Sequence, residues 1–211
     1  KNLTTPCSNR WMIGTVNSFF VGTISTLVAT ALGTLAALGL SRPHMPYKGL
    51  IMSILISPMI VPLIITAAGM FFFYAKINLV YTFTGIILAH VALSTPFVVI
   101  TVTATLVGFD TNMTRASQSL GAKPVRTFFK IIMPLILPGV ISGALFAFIT
   151  SFDEVVIVMF MASLDQLTIP KQMWAGIRQE ISPVILCMAT CLVALSIFLL
   201  TTVELLRRRS E

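Results

Sequence analysis

Two adjacent carboxylates, Asp153 and Glu154, interrupt an apolar stretch of the chain. An ionised carboxylate at membrane depth is costly unless it is hydrated or paired, so it usually faces a water-filled cavity or a partner group. One reading has at least one of the two lining a path and attracting a cation. The other has them pairing with an Arg, a Lys or a backbone group of a partner subunit, or standing at an already wet helix end. Successive helix residues point about 100° apart, so the two cannot face one path equally. His90, in a second apolar stretch, reads as a hydrogen-bonded interior histidine in preference to a proton relay. Cys187 and Cys191 stand four apart, a spacing that could present two thiolates to a metal. No His or carboxylate joins them, so they read as small packing residues, and with Cys7 they make no disulfide framework.

These residues are carried by a chain that is 56% hydrophobic and only 10% charged, far from a soluble domain of this length. Charge-free runs occupy 11–41, 49–75, 77–109, 131–152 and 181–203. Each exceeds the roughly 20 residues that cross a ~30 Å bilayer core as a helix. The runs are continuous and not alternating, which disfavours barrel strands. The expected fold is an all-α membrane protein, a polytopic bundle with five transmembrane helices in this chain.

A net charge of +7 raises the question of nucleic acid, and the distribution of the charge answers it. With loops taken alternately, one side holds Arg42, Lys48, Arg115, Lys123, Arg126, Lys130, Arg207, Arg208 and Arg209. The other holds Lys1, Arg10, Lys76, Lys171 and Arg178. This bias places the 110–136 segment and the C-terminus in the cytoplasm, so the positive charge sets topology and no nucleic-acid partner is expected. Lys1 then starts outside, without an initiator Met or a signal-peptide pattern. The expectation is one further transmembrane helix ahead of it, six in the intact protein.

The first apolar run carries small residues every fourth position: Gly14, Ser18, Gly22, Thr26, Thr30 and Thr34, with a second ridge of Ala29, Gly33 and Ala37. Gly139, Gly143, Ala147 and Ser151 repeat the pattern in the fourth run. Such ridges let helix backbones approach where no hydrophobic drive exists between helices. Pro58 and Pro62 in the second run and Pro96 in the third are expected to kink their helices, with Ser94 and Thr95 hydroxyls partly repairing the lost bonds. A loop is expected over 161–180, where Trp174 suits an interfacial anchor.

The polar, basic segment 110–140 is longer than a turn requires. Residues 111–120 read as a short helix capped by Asn112 or Thr111, with Gly121 in the left-handed position after it. Pro124 suits the first turn of a second helix, 125–133, ended by Pro134. Lys123, Arg126 and Lys130 beside Phe128 and Phe129 make either a docking knob or a helix lying on the membrane surface.

This segment resembles the cytoplasmic loop of permease subunits of ATP-binding-cassette importers. The family pattern is Glu-Ala-Ala, three residues, Gly, nine residues, Ile, two residues, Pro. Ala116, Gly121, Ile131 and Pro134 fall in register, and Leu120, Ala122, Phe128, Pro138 and Gly139 are also typical. Arg115 stands where the family has Glu, and Ser117 replaces the second Ala. Asn17-Ser18-Phe19, Ser151-Phe152-Asp153-Glu154 and Met173-Trp174-Ala175-Gly176-Ile177-Arg178 are similar to the spermidine/putrescine permeases, most of all their second permease subunit.

The resemblance implies the type I importer permease fold, as a single transmembrane domain over 1–211 with a coupling loop at 110–136, in the inner membrane of a bacterium. It implies a heterodimer with a second permease subunit, two copies of a cytoplasmic ATPase and a periplasmic substrate-binding protein, all in contact with membrane lipid. Arg115, Ala116, Ser117, Leu120, Gly121, Ala122, Phe128, Ile131 and Pro134 would couple to the ATPases, and Asp153 or Glu154 would attract a polyamine. ATP and Mg²⁺ would belong to the partner ATPases, because this chain has no phosphate-cradling Gly-rich Lys loop and no cofactor of its own is expected. The subunit is expected to be a transporter component and not an enzyme, since no nucleophile–base pair or metal-ligand set has workable spacing. Two alternatives stand beside this reading. One is an importer subunit for another small amino compound. The other is an ion-coupled transporter using Asp153, Glu154 and His90, which calls for an inverted repeat that the sequence does not display.

Overall fold

The computed structural model describes residues 4–42, 45–108, 110–179 and 183–208. Lys1, Pro43 and His44 of the turn after the first helix, and Arg209 lie outside the described residues. Among those described, all regular structure is helical and there is no strand, as continuous apolar runs demand.

Helices α1 (Thr4–Leu40), α4 (Phe83–Val107) and α7 (Met133–Phe152) pack against one another, and α4 is the most buried of the long apolar segments. The small-residue ridges make this possible. A Cβ on Gly33 of α1 would fall 2.7 Å from the Val98 Cβ on α4, so only glycine permits that approach. On α7, Gly139 backs onto Thr105 and Gly143 onto Thr101 and the Val98 Cα. Ser94 Oγ of α4 donates to the Ala147 carbonyl of α7 at 3.2 Å, adding a hydrogen bond where apolar contact alone gives little preference over lipid. Val98, Val102, Ala29, Ile136 and Val140 fill one apolar cluster of this trio, and Val21, Ile86, Ala89 and Leu93 belong to another.

The second charge-free run departs from the expected single helix. It forms α2 (Lys48–Ile60) and α3 (Leu63–Lys76), bent by 105° at the break. Val61 and Pro62 are extended there (ψ 133° and 128°), and Pro62 has no N–H with which to continue α2. Pro58, by contrast, stays inside α2, and Pro96 inside α4. The hydroxyls beside Pro96 go elsewhere than expected: Thr95 Oγ1 donates to Val91 O (2.6 Å) and Ser94 crosses to α7. Neither serves the Ala92 carbonyl that the proline leaves without its helical donor.

Three helices among the described residues are long and apolar enough to cross a membrane, and the bent α2–α3 pair makes a fourth if counted as one span. The described part of the fifth charge-free run, 183–203, lies within α10 (Pro183–Arg208), whose apolar part is Ile185–Phe198. The loop expected over 161–180 contains a helix, α9 (Ile169–Gln179), which carries Trp174, 44% exposed. Gly176 of α9 sits against Ile185 of α10. Cys187 and Cys191, read as packing residues, are both exposed on α10.

Candidate functional site

The carboxylate pair does not lie within a helix. Helix α7 stops at Phe152, Asp153 forms its C-cap, and a six-residue helix, α8 (Val156–Met161), begins after Val155. The expected position inside the fourth helix is therefore corrected to a break between two helices. Glu154 explains the break. Its Oε1 accepts from the Ile157 N–H at 2.8 Å, so the side chain satisfies a free amide of α8 and competes with continuation of α7.

The break gives the two acids different surroundings. Glu154 is 7% exposed and occupied by the α8 backbone. Asp153 is exposed and lines a cavity of about 130 Å³ with Phe148, Ile149, Phe152, Pro170, Leu192 and Ser196. The Phe148 and Phe152 rings stack at 5.3 Å, and Phe19 of α1 meets Phe152 edge-on at 5.1 Å. A carboxylate beside aromatic faces is a setting that favours a cation over an anion.

The far end of α8 is also fastened. Lys171 Nζ donates to Ala162 O (3.0 Å), and to Val158 O (3.3 Å), which also accepts from the Ala162 N–H, so its ammonium sits at the carbonyl end of the helix. Burial holds the Lys171 pKa below its ordinary value. With Glu154 at one end and Lys171 at the other, both charges match the helix dipole.

His90 of α4 is buried, at 1% exposure. Its Nδ1 lies 2.7 Å from Ser151 Oγ of α7, which is buried too. This is the hydrogen-bonded interior histidine expected from the sequence. Among the described residues, no group of three or more His, Cys, Asp or Glu side chains gathers to hold a metal.

The polar segment forms a helix, a glycine turn and a second helical arm. Helix α5 (Thr111–Ser119) is capped by Asp110, whose carboxylate accepts from Asn112 N at 2.9 Å; the cap expected at Asn112 or Thr111 is thus one or two residues too late. Gly121 has φ +78°, the left-handed conformation expected of it. Around it Gly121 N donates to Gln118 O (2.9 Å) and Ala122 N to Ser117 O (3.1 Å), the paired bonds of a Schellman stop. Pro124 then opens α6 (Pro124–Thr127) at its first position.

The second arm does not end at Pro134. Residues Phe128–Ile132 form one π turn, in which Met133 N donates to Phe128 O five residues back, and α7 follows directly. The wider turn accommodates a proline that has no N–H for the usual four-residue bond. The segment is therefore continuous with a membrane-length helix, Pro124–Phe152.

Ser117 and Thr127 lock the two arms. Their hydroxyl oxygens are 2.9 Å apart and both residues are buried, at 6% and 2% exposure. Arg115, Ala116, Leu120, Gly121 and Pro134 are exposed, while Ala122, Phe128 and Ile131 are half-buried. Leu120, Val125 and Phe129 are 88%, 69% and 64% exposed beside the exposed Lys123, Arg126 and Lys130. The result is an apolar surface bordered by positive charge. Sequence reading missed Thr127 as the partner of Ser117 and Asp110 as the cap. The second was legible, because Asp immediately before a helix is a strong cap signal.

The family model described as "Binding-protein-dependent transport system inner membrane component" matches residues 29–211. The spermidine/putrescine transport system permease protein PotC of Haemophilus influenzae is 31% identical over 175 residues, covering 83% of this chain and 68% of that protein. PotC of Escherichia coli is 29% identical over 172 residues, covering 82% and 65%. The chain thus spans about two thirds of the length of these relatives. Among solved structures, an inward-facing MetNI methionine ABC transporter shares the fold with a TM-score of 0.76 at 17% identity, over 99% of this chain and 100% of that one. The match over most of the chain, the fold and the apolar helix bundle agree: this chain belongs to the family of inner membrane components of binding-protein-dependent transport systems, as a multi-pass membrane permease similar to those of spermidine/putrescine systems.

Proposed function

We propose that the chain is the translocating subunit of an ATP-driven importer for polyamines of the spermidine and putrescine type. Asp153 lines the path and attracts the substrate ammonium groups, and Glu154 holds α8 in place beside it. The observation that carries this reading is the exposed Asp153 carboxylate in a cavity walled by Phe148 and Phe152. A linear polyamine carries ammonium groups separated by methylene chains, which a carboxylate and aromatic faces suit together. The relatives named for spermidine and putrescine transport support the same substrate class.

The 110–136 segment is the coupling loop. Its exposed apolar tip at Leu120, Val125 and Phe129 gives a partner ATPase something to grip, and its basic border keeps it at the cytoplasmic face together with the C-terminus. Continuity of α6, the π turn and α7 gives the motion a rigid route. Closure of two ATPases, holding ATP and Mg²⁺, would shift the coupling loops and, through α7, the walls of the Asp153 cavity. A second permease subunit completes the path, and a periplasmic binding protein delivers the substrate. Membership of a binding-protein-dependent family weighs against the ion-coupled alternative.

The test is uptake of labelled spermidine into proteoliposomes that contain the assembled complex and its binding protein. ATP-dependent accumulation, competed by putrescine, is expected. Accumulation driven by an ion gradient without ATP, or none for any linear polyamine, would overturn the reading.

A further inference from the structure

Asn17, Ser18 and Phe19 are consecutive on α1, yet translocation and coupling as described leave them without a task. Phe19 packs on two walls of the Asp153 cavity, Ser18 holds the residue before a third, and Asn17 holds the loop that leads to it. Asn17 Nδ2 donates to Asp165 O (3.1 Å) and Leu167 O (3.0 Å), so both amide hydrogens are used. Ser18 Oγ, 3% exposed, accepts from Ile169 N at 2.8 Å. The following residue, Pro170, is a wall of the cavity. Phe19 packs against Phe152 and Phe148, with ring centroids at 5.1 and 6.3 Å, and both of those rings line the same space.

Two neighbouring side chains thus satisfy three backbone groups at the entry to α9, some 150 residues away in sequence. Gly14, one turn earlier, makes the approach possible, because a Cβ there would lie 2.9 Å from Gln172 Oε1 and 3.6 Å from the Thr168 carbonyl carbon. The loop is held further by Gln166 Nε2 donating to Tyr81 O (3.0 Å), and α9 by the Lys171 bonds to Val158 O and Ala162 O. Side chains of α1 thus fix both the loop ahead of α9 and the first residue of α9, next to which Pro170 stands.

We infer that Asn17 and Ser18 are positioning residues for the substrate: they hold the Pro170 wall at the distance from Asp153 that a polyamine requires. This rests on the proposed role of Asp153. Asn17→Ala and Ser18→Ala in the assembled complex should each raise the half-saturating spermidine concentration roughly fivefold, as loss of about one hydrogen bond would. The maximal rate and the basal ATPase rate should stay unchanged, and Asn17→Gln should recover part of the loss. Added to Asp153→Asn, Asn17→Ala should have less than its full effect. A change confined to maximal rate or to complex yield, or effects that multiply fully, would overturn the inference.

A second measurement needs no substrate. In a Cys7→Ala, Cys187→Ala, Cys191→Ala background, the thiol introduced by Ser196→Cys reports on access to the cavity. Asn17→Ala should raise its maleimide labelling rate severalfold, and an unchanged rate would overturn the inference. If the unmodified complex moves no spermidine, the proposed substrate fails while the labelling result still decides the positioning role.

Discussion

Ser117 Oγ and Thr127 Oγ1 lie 2.9 Å apart in a buried contact that joins the two arms of the glycine-hinged segment. Ser117 also donates to Thr114 O at 2.8 Å, and a hydroxyl has one hydrogen. Thr127 is therefore the donor in the pair. Thr127→Val removes that donor and Ser117→Ala its acceptor, and each should lower the melting temperature of the purified complex, at about 1 kcal/mol. Replacing both should cost less than the sum, because no buried hydroxyl is then left unpaired. Thermal unfolding of the three variants checks this, and strict additivity would show the contact to be incidental.

Gly121 is at φ +78°, and a Cβ there would meet nothing within 4 Å, so its constraint is conformational and not steric crowding. Gly121→Val should cost about 1–2 kcal/mol of local distortion and abolish transport, with the subunit still inserted. Gly121→Asn should be tolerated better, since Asn visits that conformation. Uptake and membrane content measured together test the hinge, and normal uptake by Gly121→Val would sink it.

The separate surroundings of the two acids predict separate phenotypes. Asp153→Asn should raise the apparent substrate Michaelis constant roughly tenfold at normal subunit levels, as loss of a charge-assisted hydrogen bond would. Glu154→Ala removes the acceptor of Ile157 N and should destabilise the α7–α8 junction by about 1–2 kcal/mol, seen as lower subunit yield. The double variant should transport little or nothing. Kinetics unchanged in Asp153→Asn would make that residue structural.

Two glycines separate packing from simple helix propensity. Gly33→Leu drives a side chain into Val98 and should cost about 1–3 kcal/mol of bundle stability. Gly69→Ala in α3 meets nothing within 4 Å and should gain at most about 1 kcal/mol. Denaturation of the solubilised subunit distinguishes them, and equal effects would contradict the α1–α4 contact described.

Long, uninterrupted apolar runs were legible because a membrane helix needs nothing else in its sequence. Gly33, Gly143 and their ridges were legible for a related reason, since only small residues permit such approach. What sequence did not display was decided by competition between bonds. Pro62 ended a helix, whereas Pro58 stayed inside α2 and Pro96 inside α4, so a proline alone did not mark the break. Pro134 was absorbed by a π turn instead of ending its helix. Asp153 and Glu154 read as helical by apolar context, yet a carboxylate capping Ile157 N ended α7 first. The Asn17 and Ser18 contacts join residues too far apart in sequence for any local pattern to show.

The most direct test of the account is to tag this subunit in its native membrane, extract it gently and identify what co-purifies in fixed ratio. A second permease subunit together with a cytoplasmic ATPase is the expected result. A subunit recovered alone, or as a homodimer without an ATPase, would contradict it.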